Sequence, residues 1–314
     1  MKQPLVFVLV AQALLVAACF AHGDGRTVTA TGSTPQPGGV LQPLITTSEL
    51  VVGQNRLAFG LLRDDMLVDD AEVVVRVYEI KDEQAQLQAE MTAPYDKLEV
   101  VEQGNRVHIH PDGTRHLHPE QTDVRGIHVT QVTFERAGTW GLEVLAKQRD
   151  GSVAVSRSAV DVRDTPQTPA IGSLAPRSRN LIATDVSDLR QIDTSDPPDP
   201  RLHQVRIADA IAQGKPQVIV FATPKFCTSR LCGPMVDIVR TLLPTYSDRV
   251  VFTHQEIWQD ASAQQLFSTV EEWNLPSEPW IFVLDGKGIV RAKFEGLTTA
   301  HELEAALKQL LARE

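Results

Sequence analysis

Residues 221–239 read FATPKFCTSRLCGPMVDIV, and their reading decides the fold of the C-terminal third of the chain. Just upstream, PQVIVFAT (216–223) is a continuous apolar run, which suits a strand buried on both faces. Beyond Pro234, Met235, Ile238, Val239 and Leu242 fall on one helical face, and the pattern stops at Pro244. A proline near a helix start is pre-organised for it, so the helix is predicted to open at Cys232, with Cys227 on the preceding loop. Were both cysteines on one helix, five residues of rise would separate them by about 7.5 Å, beyond the ordinary Cα spacing of a disulfide. Pairing therefore needs a loop or an irregular turn between them.

Outward from this stretch, Val205–Gln213 reads as a short helix and RVVFTHQEIW as a second strand. ASAQQLFSTVEEW reads as a helix, and WIFVLDGKGIVRAKFEG as a hairpin turning at Asp285-Gly286. Thr299 and Glu302 form a capping box for a last helix with Leu303, Leu307, Leu310 and Leu311 on one face. Before this part, residues 44–164 carry short alternating runs such as AEVVVRVYEI and GIHVTQVTFERAGTWGLEVLA, separated by turn signals. These predict an antiparallel β-sandwich, Ig-like in type, with a hairpin turn at Arg149–Ser152. Residues 165–200 are proline-rich and read as a linker or wrapping segment, leaving 201–314 as the second domain.

VIVF, ATPKFC and the helix opening at Cys232-Gly233-Pro234 together resemble the thioredoxin-like superfamily, in its extracytoplasmic, membrane-tethered form, here as a CxxxxC variant. The expected fold class is accordingly an α/β thioredoxin-like domain preceded by an all-β sandwich. The resemblance implies a dithiol at Cys227 and Cys232. It also implies a cis-proline at Pro279, with Glu278 before it holding the substrate backbone. The sequence departs from the family twice: Met235 stands where the second cysteine is expected, and Val220 where a buried acid is expected. Counting from Phe221 makes Cys227 the attacking thiol, whereas the Cys-Gly-Pro signature makes it Cys232. A thiol at a helix N-terminus is ionised more easily, which suits exchange chemistry. The alternative is a structural disulfide that pins the loop. FERAGTWGLEV (134–144) also resembles the late strands of small periplasmic sandwich domains, some of which handle copper.

The N-terminus, MKQPLVFVLVAQALLVAACF, has a lysine, an apolar run and then small residues, the pattern of a secretory signal. Val16-Ala17-Ala18-Cys19 resembles a bacterial lipobox, which predicts a signal peptide over 1–18, a lipid on Cys19 and a Gly/Thr/Pro-rich tether over 19–43. Simple cleavage after Ala21 is the alternative. An extracytoplasmic, lipid-anchored protein on the periplasmic or cell-surface side of a bacterial membrane is thus expected. A length of 314 residues, 42% hydrophobic and 22% charged, is that of a two-domain globular protein. A net charge of −10 argues against a nucleic-acid partner.

VHIHPDGTRHLHPE holds His108, His110, His116 and His118, four of the nine histidines. A hairpin centred on Gly113 sets His108 opposite His118 and His110 opposite His116, bringing four imidazoles to one face for copper or zinc. A register one residue away divides them between two faces, and a solvated hairpin with no metal is the plainer reading. His254 and Glu256 alternate on a strand and read as ordinary edge residues. The expected function is thiol–disulfide oxidoreduction of protein substrates through Cys227 and Cys232, with a further redox partner and no required cofactor. The alternative is a non-enzymatic copper- or zinc-handling or scaffold lipoprotein whose cysteines form a structural disulfide.

Overall fold

A computed structural model describes residues 41–63, 66–69, 71–82, 84–98, 101–102, 105–109, 115–119, 126–227, 231–260 and 265–313. The signal segment, Cys19 and His110 lie outside the described residues.

Glu72–Lys81 shows why the first part folds as it does. Val73, Val75 and Val77 are buried while the residues between them are not, because successive strand side chains point to opposite faces. The alternation recurs at the end of Gly126–Phe134, whereas Gly53–Arg63 is buried on both faces from Leu57 to Leu61 and Gly138–Lys147 from Leu142 to Val144. One sheet runs Gln42–Ile45, Gly53–Arg63, Gly126–Phe134, Tyr95–Lys97, with Met66–Val68 added to Gly53–Arg63. The other runs Leu50–Val51, Val153–Arg163, Gly138–Lys147, Glu72–Lys81, Gln84–Thr92. Their inner faces share one core around Phe59, Phe134 and Trp140. The turn between Gly138–Lys147 and Val153–Arg163 needs a left-handed residue, which Gly151 supplies at φ +85°.

The C-terminal part holds a four-stranded mixed sheet in the order Val251–Gln255, Gln217–Phe221, Trp280–Leu284, Val290–Glu295. Gln217–Phe221 is buried at every position; it pairs parallel to Val251–Gln255 and antiparallel to Trp280–Leu284. The helix Cys232–Tyr246 covers one side, with Pro234 in its first turn, where the missing N–H has no helical partner to lose. It runs two residues past Pro244. Ala300–Leu311 is held by the reciprocal Thr299–Glu302 cap, with Leu303, Leu307 and Leu310 buried.

The expected α/β thioredoxin-like class does not describe this chain. The described residues form seventeen strands against four α-helices, and the architecture is predominantly β in several sheets. Two of the helices, Ile207–Ala212 and Ser268–Glu272, are six and five residues long. The apolar residues read as an inward helical face in ASAQQLFSTVEEW are used differently: Leu266 lies before the helix in an isolated bridge with Trp258. Trp273 follows the helix and packs on Phe221 and Phe282.

The two parts meet across a packed seam. Ala58, Leu98 and Ile127 belong to the same core cluster as the helix Cys232–Tyr246. Arg56 donates to both oxygens of Glu302, at 2.7 and 2.9 Å, to the Leu297 carbonyl at 2.7 Å and to the Glu295 carbonyl at 3.2 Å. Glu295 in turn accepts the backbone N–H groups of Ser48 and Glu49. Residues 165–204 pass along the C-terminal sheet as a wrapping segment, for Trp273 donates to Ser178 and Leu202 and His203 are buried. Breaking the Arg56–Glu302 pair leaves a carboxylate without its partner at 15% side-chain exposure. Arg56→Met is expected to destabilise the protein by about 3 kcal/mol in urea unfolding, against under about 0.5 for a fully exposed arginine.

Candidate functional site

The antiparallel pairing of Gln217–Phe221 with Trp280–Leu284 sets Trp280 opposite Phe221. The loop that leaves Phe221 therefore meets the chain that enters Trp280. Cys227 lies on the first, Glu278 and Pro279 on the second, and the Glu278–Pro279 bond is cis. Cys232 opens the helix beside them. The sulfurs of Cys227 and Cys232 and a carboxylate oxygen of Glu278 all lie within 4.8 Å of one another. No disulfide joins them in this structure; Cys232 is buried and Cys227 half-buried.

The loop is fixed from below. Thr223 is buried; its carbonyl accepts the Cys227 N–H at 3.0 Å, and its hydroxyl donates to Glu256 and accepts the Ile257 N–H at 3.1 Å. Glu256 also accepts the Thr194 N–H at 2.7 Å, tying the loop to the wrapping segment. Trp258 donates to Glu278 at 3.4 Å. A cleft of about 660 Å³ opens on one side of the loop, lined by Arg190, Lys225, Phe226, Gly233, Arg240 and Trp258 among others.

The electrostatics are those of a site that holds protons. The hydrogen bond with Cys227 and then burial push the Cys232 thiol far up. Burial first, and the charge of a Cys227 thiolate second, push Glu278 up to about 7. Met235, where a second cysteine was expected, is a core residue whose sulfur accepts the Thr298 N–H at 3.2 Å.

Behind the loop lies a second cluster that the sequence reading missed. Asp193, His203 and His254 are all buried, with one donor atom of each within 4.8 Å of the others. His254 sits opposite Val220 in the sheet register. It lies on an edge strand, as expected, but the wrapping segment covers that edge and buries both His254 and Glu256. Burial opposes the charge on Asp193, yet His254 and the His203 hydrogen bond outweigh it and hold the carboxyl far below its usual range. Burial lowers His203; for His254, burial opposes the charge but Asp193 outweighs it and raises it. No helical or strand periodicity marks residues 189–203, and only the two polar types Asp and His inside a proline-rich run hinted at the cluster.

The histidine hairpin is paired in a register other than the one centred on Gly113. His108 faces His116 and His118 faces Arg106, one pairing of two histidines where two had been expected. The strand Asn105–Ile109 comes close to the helix Cys232–Tyr246. His128 is buried in the sandwich, where its Nδ1 bonds the Ala93 carbonyl at 2.8 Å and its ring stacks on Phe59.

No family model matches the chain, and no curated protein matches it. Among solved structures, it is similar to "CopC from Methylosinus trichosporium OB3b" at 8% identity and a TM-score of 0.21, over 39% of this chain and 95% of that one. At that score neither fold nor function passes to this chain.

The raised Glu278 makes a pH prediction. A carboxyl at about 7 when folded, against its ordinary 4.5, binds its proton more tightly in the folded chain. Its contribution is full below pH 4.5 and is lost as pH rises through 7. In metal-free reduced protein, Glu278→Gln should raise stability at pH 8 by about 1–2 kcal/mol, allowing for partial exposure, and leave it unchanged at pH 4. Urea unfolding at the two pH values checks this, and an equal difference at both would refute it.

Proposed function

We propose that the protein handles a soft metal ion, copper in its monovalent state or zinc, held by Cys227, Cys232 and Glu278. The observation that carries this reading is the approach of two sulfurs and one carboxylate oxygen to within 4.8 Å beneath a half-buried entrance. Thiolates select such ions over the hard cations that carboxylates alone would bind. The buried Cys232 keeps its proton until a cation displaces it, so uptake releases protons and is favoured by rising pH. Cys227 gives access, and Cys232, at the start of a packed helix, gives retention. The lipid-anchored, extracytoplasmic setting read from Val16–Cys19 belongs to this proposal, with metal arriving from outside the cytoplasm.

The expected result is one tightly bound Cu(I) per chain in anaerobic competition with a chromophoric chelator. Cys227→Ser with Cys232→Ser should lower the affinity at least about 100-fold, and Glu278→Gln about 10-fold. Unchanged affinity in the double serine chain would overturn the reading.

A second reading is favoured by one asymmetry: Cys232 is buried at a helix start and Cys227 is the more exposed thiol. In exchange chemistry the Cys227 thiolate would attack a substrate disulfide and release one substrate thiol. Cys232 would then displace the other, leaving a Cys227–Cys232 disulfide and a substrate reduced by two electrons. Cys232→Ser should then trap a mixed disulfide on Cys227. A reduction potential of the pair between about −270 and −120 mV would support this reading, and one below about −300 mV would reject it.

A further inference from the structure

The buried Asp193 carboxylate is surrounded by donors. Its Oδ1 accepts the Ser195 N–H at 2.9 Å, and its Oδ2 accepts the Asp199 N–H at 3.0 Å and meets His203 Nε2 at 3.0 Å. His254 Nδ1 lies 3.3 Å from Oδ1, and although fully buried it makes no hydrogen bond there. The other nitrogen of His254 is already used: Nε2 meets the Ala222 carbonyl at 2.8 Å. With Nε2–H committed to that carbonyl, Nδ1 is the nitrogen left to face Asp193, and it becomes a ligand when a cation takes the place of the proton that Asp193 draws to it. This is how protein imidazoles are oriented toward metals.

We propose that Asp193, His203 and His254 form a second metal site, for a divalent cation with the preferences of zinc, separate from the thiol pair. Bonds of about 2.0–2.1 Å to a tetrahedral ion set its ligand atoms about 3.3 Å apart, close to the 3.0 Å between Oδ2 and His203 and the 3.3 Å between Oδ1 and His254. Two neutral imidazoles and a carboxylate leave one positive charge on a divalent ion. Glu256 acts electrostatically on His254, which offsets that charge. The remaining coordination position has room, because His203 and His254 line a cavity of about 290 Å³ with Arg179, Asn180 and Gln255. An ion here ties residues 193–203 of the wrapping segment to the strand Val251–Gln255. Through Ala222 it also fixes the residue from which the thiol loop departs.

The test uses the full chain with Cys227 and Cys232 changed to Ser and His108, His110, His116 and His118 changed to Ala. This removes the thiol pair and the histidine hairpin, so the result is independent of the thiol-site reading. Refolded with cobalt(II), this parent should take up one equivalent and show the visible spectrum of nitrogen and oxygen ligands without sulfur charge transfer. Zinc should raise its thermal midpoint by several degrees. Adding His203→Gln should weaken uptake 10- to 100-fold and abolish the rise. If that variant does not fold, cadmium-113 bound to the parent decides: its signal should couple to two imidazole rings. No uptake by the parent, uptake indifferent to His203→Gln, or a cadmium signal without imidazole coupling would each overturn the proposal.

Discussion

Everything near the candidate sites depends on the complete burial of the strand Gln217–Phe221. A strand with no exposed position must have partners on both edges and cover on both faces. Those four demands are met by Val251–Gln255, by Trp280–Leu284, by the helix Cys232–Tyr246 and by an aromatic layer of Trp273, Trp280 and Phe282. Because one partner is parallel and the other antiparallel, three chain ends converge beyond Phe221. That is why a loop cysteine, a helix-start cysteine and a carboxylate distant in sequence share one small volume.

The wrapping segment solves the problem left by the edge. Val251–Gln255 has a paired neighbour on one side only, and its buried side chains include Thr253, His254 and Gln255. Polar groups there must be satisfied or paired once buried. Asp193 bonds His203 and faces His254 with its charge, and Thr194 answers for Glu256. A polar layer results between the segment and the sheet, where a larger domain would have an apolar one.

What the sequence made legible follows from range. The hairpins, the Thr299–Glu302 cap and the amphipathic helix from Cys232 are set by residues within a few positions of each other, and their signals are local. The approach of Glu278 to the thiols came from resemblance to a known loop arrangement, with no signal of its own in the intervening fifty residues. Asp193 and His203 were invisible because an irregular segment has no period, so nothing in the chain says which side chains turn inward. His254 was read as an ordinary edge residue, and its burial had no local signal, since the cover comes from residues about sixty positions earlier. The class assigned to the whole chain failed for a related reason. Apolar spacing in ASAQQLFSTVEEW fits a long helix, but tertiary contacts spend Leu266 in a bridge and Trp273 in the aromatic layer, leaving five helical residues between.

The seam at Arg56 has a consequence for how such a chain can evolve. Two of the guanidinium's acceptors are main-chain carbonyls, of Glu295 and Leu297, so drift in those side chains leaves these bonds in place. The reverse does not hold, because no other residue offers the planar fork that reaches two carbonyls and a carboxylate together. Ala58 and Ile127 sit in the core of the other half, so a recombined sandwich from elsewhere would bring the wrong surface to it. Exchanging either half alone would therefore leave Arg56, Ala58 and Ile127 against a surface not shaped to receive them.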